Sequence, residues 1–391
     1  MPGRQRRGVP LVTRENVGTV EDLHESATRF TGLDDFGNDD YREGLAVLLE
    51  SYERDAALTP FGRRVKRAFL RGALVARLLS EAAWKRFPEH AEVPIERPIF
   101  VTGLPRTGTT ALHRLLTADP AHQGLEVWLT EVPQPRPPRS TWAENPVFQR
   151  IQAGYEQHHV EHPEFLGAHE MSADQVEECW QLLRQSAKSV SYECLAYLPT
   201  YSAWLREQDW TDAYRRHRRN LQLIGLPDKD RRWVLKNPSH LFALDALMAV
   251  YPDALVIQTH RAPSTIVASV CSLNEQAAAG WSEVFSGAVV GKAQLELWAR
   301  GAETFLESRK RYDPAQFCDV YYPDFVADPL GTVESIYSRF DLPFSSDARS
   351  AMAALSRESA SRPGHRYSLS DFGLTAAEVE ARFARYLEAH A

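Results

Sequence analysis

Residues 97–116 contain the pattern that most restricts how this chain folds. An apolar run, Ile99–Val101, is followed by a loop bounded by Gly103 and Gly108, after which leucines recur at helical spacing. The pattern predicts a strand, a tight loop and a helix in succession. Because the first N–H groups of a helix lack intrahelical partners and lie at the positive end of its dipole, we expect this loop to bind an anion.

The residues of the loop indicate which anion chemistry is compatible with it. Gly103 and Gly108 occupy the glycine positions of a phosphate-binding loop, but Thr109 stands where a nucleoside triphosphatase has its lysine. The loop's cation is Arg106 instead, and Thr109 and Thr110 offer hydroxyl groups to an oxyanion. These features disfavour metal-assisted phosphoryl transfer. An ordinary turn without a ligand is the simpler alternative.

Composition excludes several other classes of function. The chain has 391 residues, 43% of them hydrophobic, and a formal net charge of −7, which is typical of a globular protein with a substantial core. The negative charge argues against general affinity for nucleic acid, so an anion site must be local. The four cysteines show no C-x-x-C spacing, and no apolar run approaches membrane-spanning length. We therefore expect a cytoplasmic protein without a zinc site, a disulfide framework or a transmembrane segment.

Residues 1–92 are predicted to form an N-terminal tail and a helical extension. Thr59 and Pro60 mark the start of a long amphipathic helix. Its arginines and its lysine are expected on the solvated side. The apolar face is predicted to contain Phe61, Val65, Phe69, Ala76, Leu79 and Ala83. Packing against the core is favoured, although such a helix also fits a membrane surface, so peripheral membrane contact stays open.

Residues 93–391 are predicted to form an α/β domain with a helical insert at about 140–228. Three further apolar runs, each of strand length, follow the insert. They end in Lys236, Arg261 and Tyr322. Alternating strands and helices indicate a P-loop-type parallel sheet flanked by helices, and ligands of such sheets bind at the carboxyl ends of the strands.

Three cations are therefore expected at one edge of this sheet. Arg106, Lys236 and Arg261 together suit a ligand with more than one negatively charged group. No carboxylate ends the strands leading to Lys236 or Arg261, and Asp324 is the exception nearby. This distribution favours a group transfer without a metal ion.

The loop resembles the 5′-phosphosulfate loop of the sulfotransferases that use 3′-phosphoadenosine 5′-phosphosulfate (PAPS). The usual form in that family is Pro-Lys/Arg-Ser-Gly-Thr-Thr. The corresponding residues here are Pro105, Arg106, Thr107, Gly108, Thr109 and Thr110. Arg261 and Ser269 have the spacing of eight with which those enzymes bind the nucleotide 3′-phosphate. The likeness is to the bacterial, actinobacterial-type branch and extends from about residue 61 to residue 374.

The resemblance implies PAPS as co-substrate, no metal, and in-line transfer of a sulfuryl group to an acceptor hydroxyl. It places Lys236 near the bridging oxygen of the departing nucleotide and Tyr322 in the wall of the nucleotide pocket. The segment of His365, Arg366 and Tyr367 corresponds to one that closes over the nucleotide in cytosolic members.

The base and the adenine-stacking residue depart from the family pattern. Ala111 stands where cytosolic members have a tryptophan that stacks on adenine. Pro238 stands where they have a catalytic histidine, and His240 is the nearest replacement. Other members use a glutamate after the loop helix, for which Glu126 and Glu131 are the substitutes here. We expect one of these three to be the base, and His240 is favoured because an imidazole titrates near neutral pH.

The acceptor is predicted to be a small apolar alcohol such as a phenol, a sterol or a lipid. This prediction depends on a set of aromatic residues expected to line its pocket, namely Trp128, Phe165, Trp180, Tyr201 and Trp204. Two other functions stay open, a P-loop phosphotransferase or kinase and a nucleotide-binding protein of the same fold without catalysis. The sequence does not indicate the oligomeric state.

Overall fold

The computed structural model of the protein describes residues 16–161, 172–358 and 368–390. In this part of the chain the strands form one parallel sheet in the order β2-β3-β1-β4-β5. The strands are β1 (Ile99–Gly103), β2 (His122–Gln123), β3 (Arg232–Lys236), β4 (Leu255–His260) and β5 (Phe317–Tyr321). The predicted parallel sheet is confirmed, and β2 was missed because two residues carry no periodic signal.

Helices surround this sheet and precede it. The N-terminal helices are α1 (Val20–Thr31), α2 (Arg42–Arg54) and α3 (Pro60–Arg86). Between β1 and β3 lie α4 (Thr109–Thr117), α5 (Val127–Glu131), α6 (Pro146–Glu161), α7 (Trp180–Arg184), α8 (Pro199–Arg206) and α9 (Thr211–Ile224). The later helices are α10 (Leu244–Val250), α11 (Pro263–Ala277), α12 (Gly287–Arg309), α13 (Tyr322–Ala327), α14 (Pro329–Arg339), α15 (Ser346–Glu358), α16 (Ala376–Arg382) and α17 (Ala384–Ala389).

Strand register decides which residues meet at the carboxyl edge of the sheet. Val101 of β1 pairs with Lys236 of β3, and Gly103 pairs with Thr259 of β4. His260, at the end of β4, pairs with Tyr321 of β5. Because all these pairs are parallel, the loops after β1, β3 and β4 leave the sheet side by side.

Successive residues of the strands pack into two different cores. Ile99 and Val101 point to the side covered by α4, α14 and α15. Phe100, between them, belongs to the larger core that also contains residues of the N-terminal helices and the insert. This alternation is the ordinary period of a strand, and both faces are buried, as is usual for a parallel sheet.

Helix α3 begins where the sequence predicts but buries a different face. Thr59 caps it by accepting a hydrogen bond from the N–H of Gly62, and Pro60 is its first residue. Phe61, predicted to be in the core, is 48% exposed, whereas Lys66 and Arg77 are buried. The prediction was therefore wrong for Phe61, Lys66 and Arg77, whereas Ala76 is buried as predicted. The two cations are buried because groups from other segments accept hydrogen bonds from them. Lys66 donates to the carbonyl of Leu195.

A proline-rich segment at residues 132–138, before the insert, forms neither helix nor strand, and segments of this kind usually run over the surface. Its Arg136 is nevertheless buried rather than on the surface. The guanidinium forms ion pairs with Glu126 at 3.1 Å and Asp228 at 2.8 Å. The segment is thus attached to the elements on both sides of the insert.

Candidate active site

The loop after β1 is held against the neighbouring strand by hydroxyl groups. Thr107 donates to the carbonyl of Leu104 at 2.6 Å, and its Oγ1 lies 2.5 Å from Oγ1 of Thr259 in β4. Gly103 has φ +143°, and a Cβ there would lie 2.4 Å from the Thr259 hydroxyl. Glycine is required at this position because the loop leaves the sheet in close contact with β4.

The start of α4 offers free backbone donors. Gly108 precedes the helix with φ 90°, and no side chain caps the helix start. The first N–H groups of α4 therefore lie unpaired at the positive end of the helix dipole. Arg106 adopts a left-handed conformation with φ 67°, which is uncommon for arginine and is found in tight functional loops. This geometry is that of an anion-binding loop.

Two cations and a hydroxyl from separate elements gather beside the loop. Arg106 Nε donates to Ser269 Oγ at 3.2 Å, and Arg261 Nη1 donates to the carbonyl of Arg106 at 3.1 Å. The Arg261 guanidinium lies 4.3 Å from the ring centroid of Tyr322, which begins α13. The structure thus brings together the residues predicted to bind the nucleotide after β1 and β4.

The side chain of Lys236, at the end of β3, approaches the first turn of α4, which follows the loop. The residue is only 3% exposed. Its Nζ donates to Thr110 Oγ1 at 3.3 Å and to Glu178 Oε1 at 2.5 Å. A buried ammonium requires a charged partner, and Glu178 provides it in this structure.

Glu178 is the site residue that sequence reasoning missed. The next residue, Cys179, donates its N–H to the carbonyl of Lys236 at 3.1 Å, which attaches this segment of the insert to the end of β3. Glu178 and Glu177 are adjacent in an acidic stretch, and no local signal separates them. The contact between segments alone shows that Glu178 is the one beside the lysine.

His240 is not placed to act as the favoured base. Its side chain is fully buried, Nδ1 lies 2.6 Å from the Tyr214 hydroxyl, and its ring packs edge-on against Phe100 at 5.1 Å. Burial, and then the neighbouring His217, lower the pKa of His240 well below its ordinary value. The residue follows Lys236 in sequence, but the turn after β3 directs it into the core. We therefore withdraw the preference for His240.

The two glutamates predicted as alternatives have different environments. Glu126 is buried and ion-paired with Arg136, so its carboxylate has a structural partner. Glu131 is half-buried and accepts a hydrogen bond from the Tyr155 hydroxyl at 3.4 Å. Burial raises the pKa of both carboxyl groups. Of the two, only Glu131 lacks a cationic partner among the described residues.

The other predicted site residues lie in the core, at partly exposed positions, or outside the described residues. Trp128 and Tyr201 are fully buried and form part of the hydrophobic core, so they do not line a pocket. Trp180 and Trp204 are partly exposed. His365, Arg366, Tyr367 and Phe165 lie outside the described residues.

The C-terminal helix supports the strand end from which Arg261 projects. His260 Nδ1 lies 2.9 Å from the Tyr386 hydroxyl of α17, and its Nε2 lies 2.9 Å from Asp319 of β5. The centroid of the His390 ring lies 4.0 Å from that of His260, with the two ring planes tilted by 37°. The ligand atoms of His260, Asp319 and His390 are close enough together to share a cation. Arg309, however, donates hydrogen bonds to both carboxylate oxygens of Asp319. We interpret the cluster as a structural support.

A parallel sheet with an anion loop, strand-end cations and a paired lysine and glutamate defines a group-transfer enzyme of the P-loop type. A sequence model of the sulfotransferase family matches residues 98–346. The chain therefore belongs to the sulfotransferase family, as the loop motif indicated.

Solved structures from mycobacteria are similar over almost the whole chain. The crystal structure of sulfotransferase STF1 from Mycobacterium tuberculosis H37Rv is 60% identical, covers 95% of this chain and 100% of its own, and has a TM-score of 0.90. Sulfotransferase STF9 from Mycobacterium avium is 27% identical, with coverage of 96% and 97% and a TM-score of 0.85. These structures confirm the α/β fold and the bacterial branch.

A curated relative has a named reaction. Omega-hydroxy-beta-dihydromenaquinone-9 sulfotransferase Stf3 of Mycobacterium bovis is 25% identical over 256 residues. The match spans 63% of this chain and 63% of the relative's length. Among the described residues, no helix is long and apolar enough to cross a bilayer.

A structural role for His240 predicts a specific pH dependence of stability. Burial lowers the pKa of His217 to about 3, and burial followed by Lys236 lowers that of His113 to about 3. The unfolded chain takes up protons as the pH falls through about 6.5, while these folded histidines stay neutral. The free energy of unfolding should therefore fall below pH 6.5, by up to about 1.4 kcal/mol per pH unit for each histidine. Urea unfolding at several pH values measures this slope.

The matched variant is His240→Asn, which removes one titrating group. Below pH 6.5 its free energy of unfolding should fall less steeply than that of the wild type, by up to about 1.4 kcal/mol per pH unit. Its turnover per folded molecule should stay within roughly tenfold of wild type. A loss of about 10²–10⁴-fold in turnover with unchanged nucleotide affinity would instead identify His240 as the base.

Proposed function

We propose that this protein transfers a sulfuryl group from PAPS to the hydroxyl group of a lipid-like acceptor. The observation that carries the proposal is Lys236, a buried cation that contacts both Thr110 of the loop helix and Glu178. In this position a cation faces the anion loop, and a carboxylate stands next to it. Family membership supports the sulfuryl chemistry.

The residues beside the loop fit a nucleotide with two anionic groups. The free N–H groups of α4 and Arg106 would hold the 5′-phosphosulfate, and Arg261 with Ser269 would hold the 3′-phosphate. Arg106 and Arg261 contact only neutral groups and an aromatic ring among the described residues. Their charges are therefore available to a ligand. Residues 365–367 are also proposed to close over the nucleotide, and this part of the proposal depends on the family resemblance alone.

Lys236 and Glu178 have complementary tasks in the proposed reaction. The ammonium stabilises negative charge that develops on the oxygen leaving with the nucleotide, because it is already in place and poorly solvated. The carboxylate of Glu178 is 25% exposed and takes the proton from the acceptor hydroxyl. Once Lys236 interacts with the departing oxygen, its ion pair with Glu178 weakens. The Glu178 carboxylate then becomes a better proton acceptor. Glu131 is the alternative base.

The acceptor class follows from the surroundings of Glu178 and from a relative. Trp180, two residues later, is half-buried, and Phe69, which together with Trp180 flanks the Arg184 guanidinium, is also partly exposed. Such aromatic surfaces favour an apolar or amphiphilic alcohol. The relative Stf3 is named for a menaquinone derivative with a terminal hydroxyl group. We propose an amphiphilic alcohol of this general kind for this chain.

The remaining organisation is proposed on the same basis. We place the boundary of the catalytic α/β domain near residue 92, because β1 starts at Ile99 and helices α1 to α3 precede it. Helix α3 contacts α5, α7 and α9, so this extension packs against the insert and supports it. The described cysteines are free thiols, which supports a reducing compartment such as the cytoplasm.

The direct test is transfer of label from sulfur-labelled PAPS to a panel of long-chain and aromatic alcohols. We expect a labelled sulfate ester and release of 3′-phosphoadenosine 5′-phosphate (PAP) in equal amounts, without added divalent metal. Equal amounts exclude simple hydrolysis of PAPS. Turnover of ATP in place of PAPS, or no transfer to any alcohol despite binding of PAP, would overturn the proposal.

Nucleotide binding should depend on Arg261 and not on a metal. We expect PAP to bind with micromolar or better affinity in the presence of a chelator, measured by calorimetry. Arg261→Ala should weaken binding about tenfold to hundredfold, because a charge-assisted hydrogen bond contributes about 1.5–3 kcal/mol. Arg64→Ala, an exposed arginine on α3, is the control and should bind normally. Binding that disappears with the chelator would contradict the metal-free site.

Glu178→Gln should separate chemistry from nucleotide binding. The amide keeps the shape of the side chain but cannot accept the proton, so turnover should fall by about 10²–10⁴-fold while the PAP dissociation constant changes little. Glu131→Gln is the matched comparison and should retain most of the turnover. If the Glu131 variant is inactive and the Glu178 variant is not, Glu131 is the base.

A further inference from the structure

Helix α3 places on the surface a phenylalanine that the sequence predicts to be buried. Phe61, in the first turn of α3, is 48% exposed, and Phe30, near the end of α1, is 62% exposed. In the described part of the chain these are the two exposed phenylalanines, and the helices that carry them pack against each other. A lone exposed apolar side chain is ordinary, but two aromatic rings on one pair of packed helices indicate a shared role for that surface.

The rings belong to one continuous face of α3. Its exposed residues recur at intervals of three and four, namely Phe61, Arg64, Ala68, Arg71 and Gly72. All of them lie inside the helix, so this face extends for roughly 16 Å at a rise of 1.5 Å per residue. We call this face, together with Phe30, the α1–α3 surface.

Each ring on the α1–α3 surface has an arginine beside it. The guanidinium carbon of Arg64 lies 5.7 Å from the ring centroid of Phe61, and that of Arg71 lies 5.7 Å from the ring centroid of Phe30. None of the ion pairs between described residues involves either arginine. Each pair therefore combines an apolar ring with hydrogen-bond donors that suit a phosphate group.

Helix α3 is strongly basic, although the chain as a whole has a net charge of −7. The helix contains eight basic residues and one acidic residue, Glu81. Glu81 is mostly buried and forms an ion pair with the buried Arg216 at 2.7 Å, so its charge does not neutralise the exposed face. A positive surface on a negative protein is a local feature that orients the molecule towards an anionic partner.

The acidic residues of the neighbouring helix α1 have partners of their own. Glu25 forms an ion pair with Arg29 at 2.9 Å. Glu21 forms one with Arg42 at 3.6 Å, and Asp22 caps the start of α1. The exposed arginines of the α1–α3 surface therefore keep their charges for an external group.

The chemistry of this surface favours one kind of partner. A symmetric contact with a second copy of the chain would bring Arg64 and Arg71 of both copies together, and like charges oppose such a contact. A soluble polyanion would satisfy the arginines but leave the phenylalanine rings in water. An anionic lipid bilayer provides phosphate groups for the arginines and an apolar layer for the rings.

We propose that the α1–α3 surface docks the protein on an anionic lipid bilayer. The rings of Phe30 and Phe61 enter the boundary between headgroups and acyl chains, and Arg64 and Arg71 stay at the level of the phosphates. The inference does not depend on the proposed function. Docking would nevertheless place the enzyme at the surface in which a lipid-like acceptor is dissolved.

The first test is sedimentation of the full chain with lipid vesicles, which needs no turnover. One preparation contains phosphatidylcholine alone, and the other contains equal parts of phosphatidylcholine and phosphatidylglycerol. The protein should bind the anionic vesicles at least about tenfold more tightly than the neutral ones. Added sodium chloride should weaken this binding. Failure to bind the anionic vesicles, or equal binding to both preparations, would overturn the proposal.

The contribution of charge is tested by Arg64→Gln combined with Arg71→Gln. This variant should bind the anionic vesicles about tenfold less tightly or worse, because each basic residue near an anionic surface contributes to binding. Arg150→Gln combined with Arg206→Gln removes the same charge from exposed arginines on α6 and α8 and is the matched control. If both variants lose affinity equally, the effect is one of net charge and the α1–α3 surface is not the docking site.

The contribution of the rings is tested by Phe30→Ser combined with Phe61→Ser. Binding to the anionic vesicles should again fall about tenfold or more, whereas binding to heparin, a soluble polyanion, should not change. Val160→Ser combined with Val326→Ser alters residues that are 77% and 56% exposed and should bind vesicles like the wild type. Light scattering should give the same molar mass for wild type and the phenylalanine variant. A wild-type dimer that this variant dissociates would identify the surface as a contact between two copies and refute docking on a bilayer.

Discussion

The structure of the candidate site depends on one buried charge, the ammonium of Lys236. Its position at the end of β3 is fixed by parallel pairing with β1, so the charge lies beside the loop whether or not a ligand is bound. A cation that is 3% exposed requires a compensating group, and the insert supplies Glu178 for this purpose. The N–H of Cys179 donates to the Lys236 carbonyl, so a backbone hydrogen bond as well as the side chains holds Glu178 next to Lys236.

The sheet places the remaining groups around this charge. Loops that follow β1, β3 and β4 leave the same edge, so residues more than a hundred positions apart become neighbours. Thr107, in the loop after β1, contacts Thr259 of β4 through their hydroxyl groups, and Arg261, after β4, donates to the backbone carbonyl of Arg106. The C-terminal helix reaches the same edge through Tyr386 and His260. The positions proposed to bind the nucleotide are thus supported from several parts of the chain.

Buried cations in this protein differ in the groups that neutralise them. Arg77 and Arg136 are fully satisfied by carboxylates and carbonyl groups, and they join the N-terminal helices and the proline-rich segment to the rest of the protein. Lys236 and Arg184 differ from them. Lys236 has one carboxylate partner, Glu178, and Arg184 has none within contact distance among the described residues.

The sequence by itself determined the class of fold, the anion loop and the strand-end residues Lys236 and Arg261, because local patterns of apolar residues, glycines and cations carry that information. Tertiary structure decided the rest. His240 follows Lys236 by four residues yet turns into the core, Phe61 is exposed, and Lys66 on the same helix is buried. Glu178 cannot be distinguished from Glu177 by any local signal. The physical reason is that the environment of a polar side chain is set by segments far away in sequence, through the backbone contacts that bring those segments together.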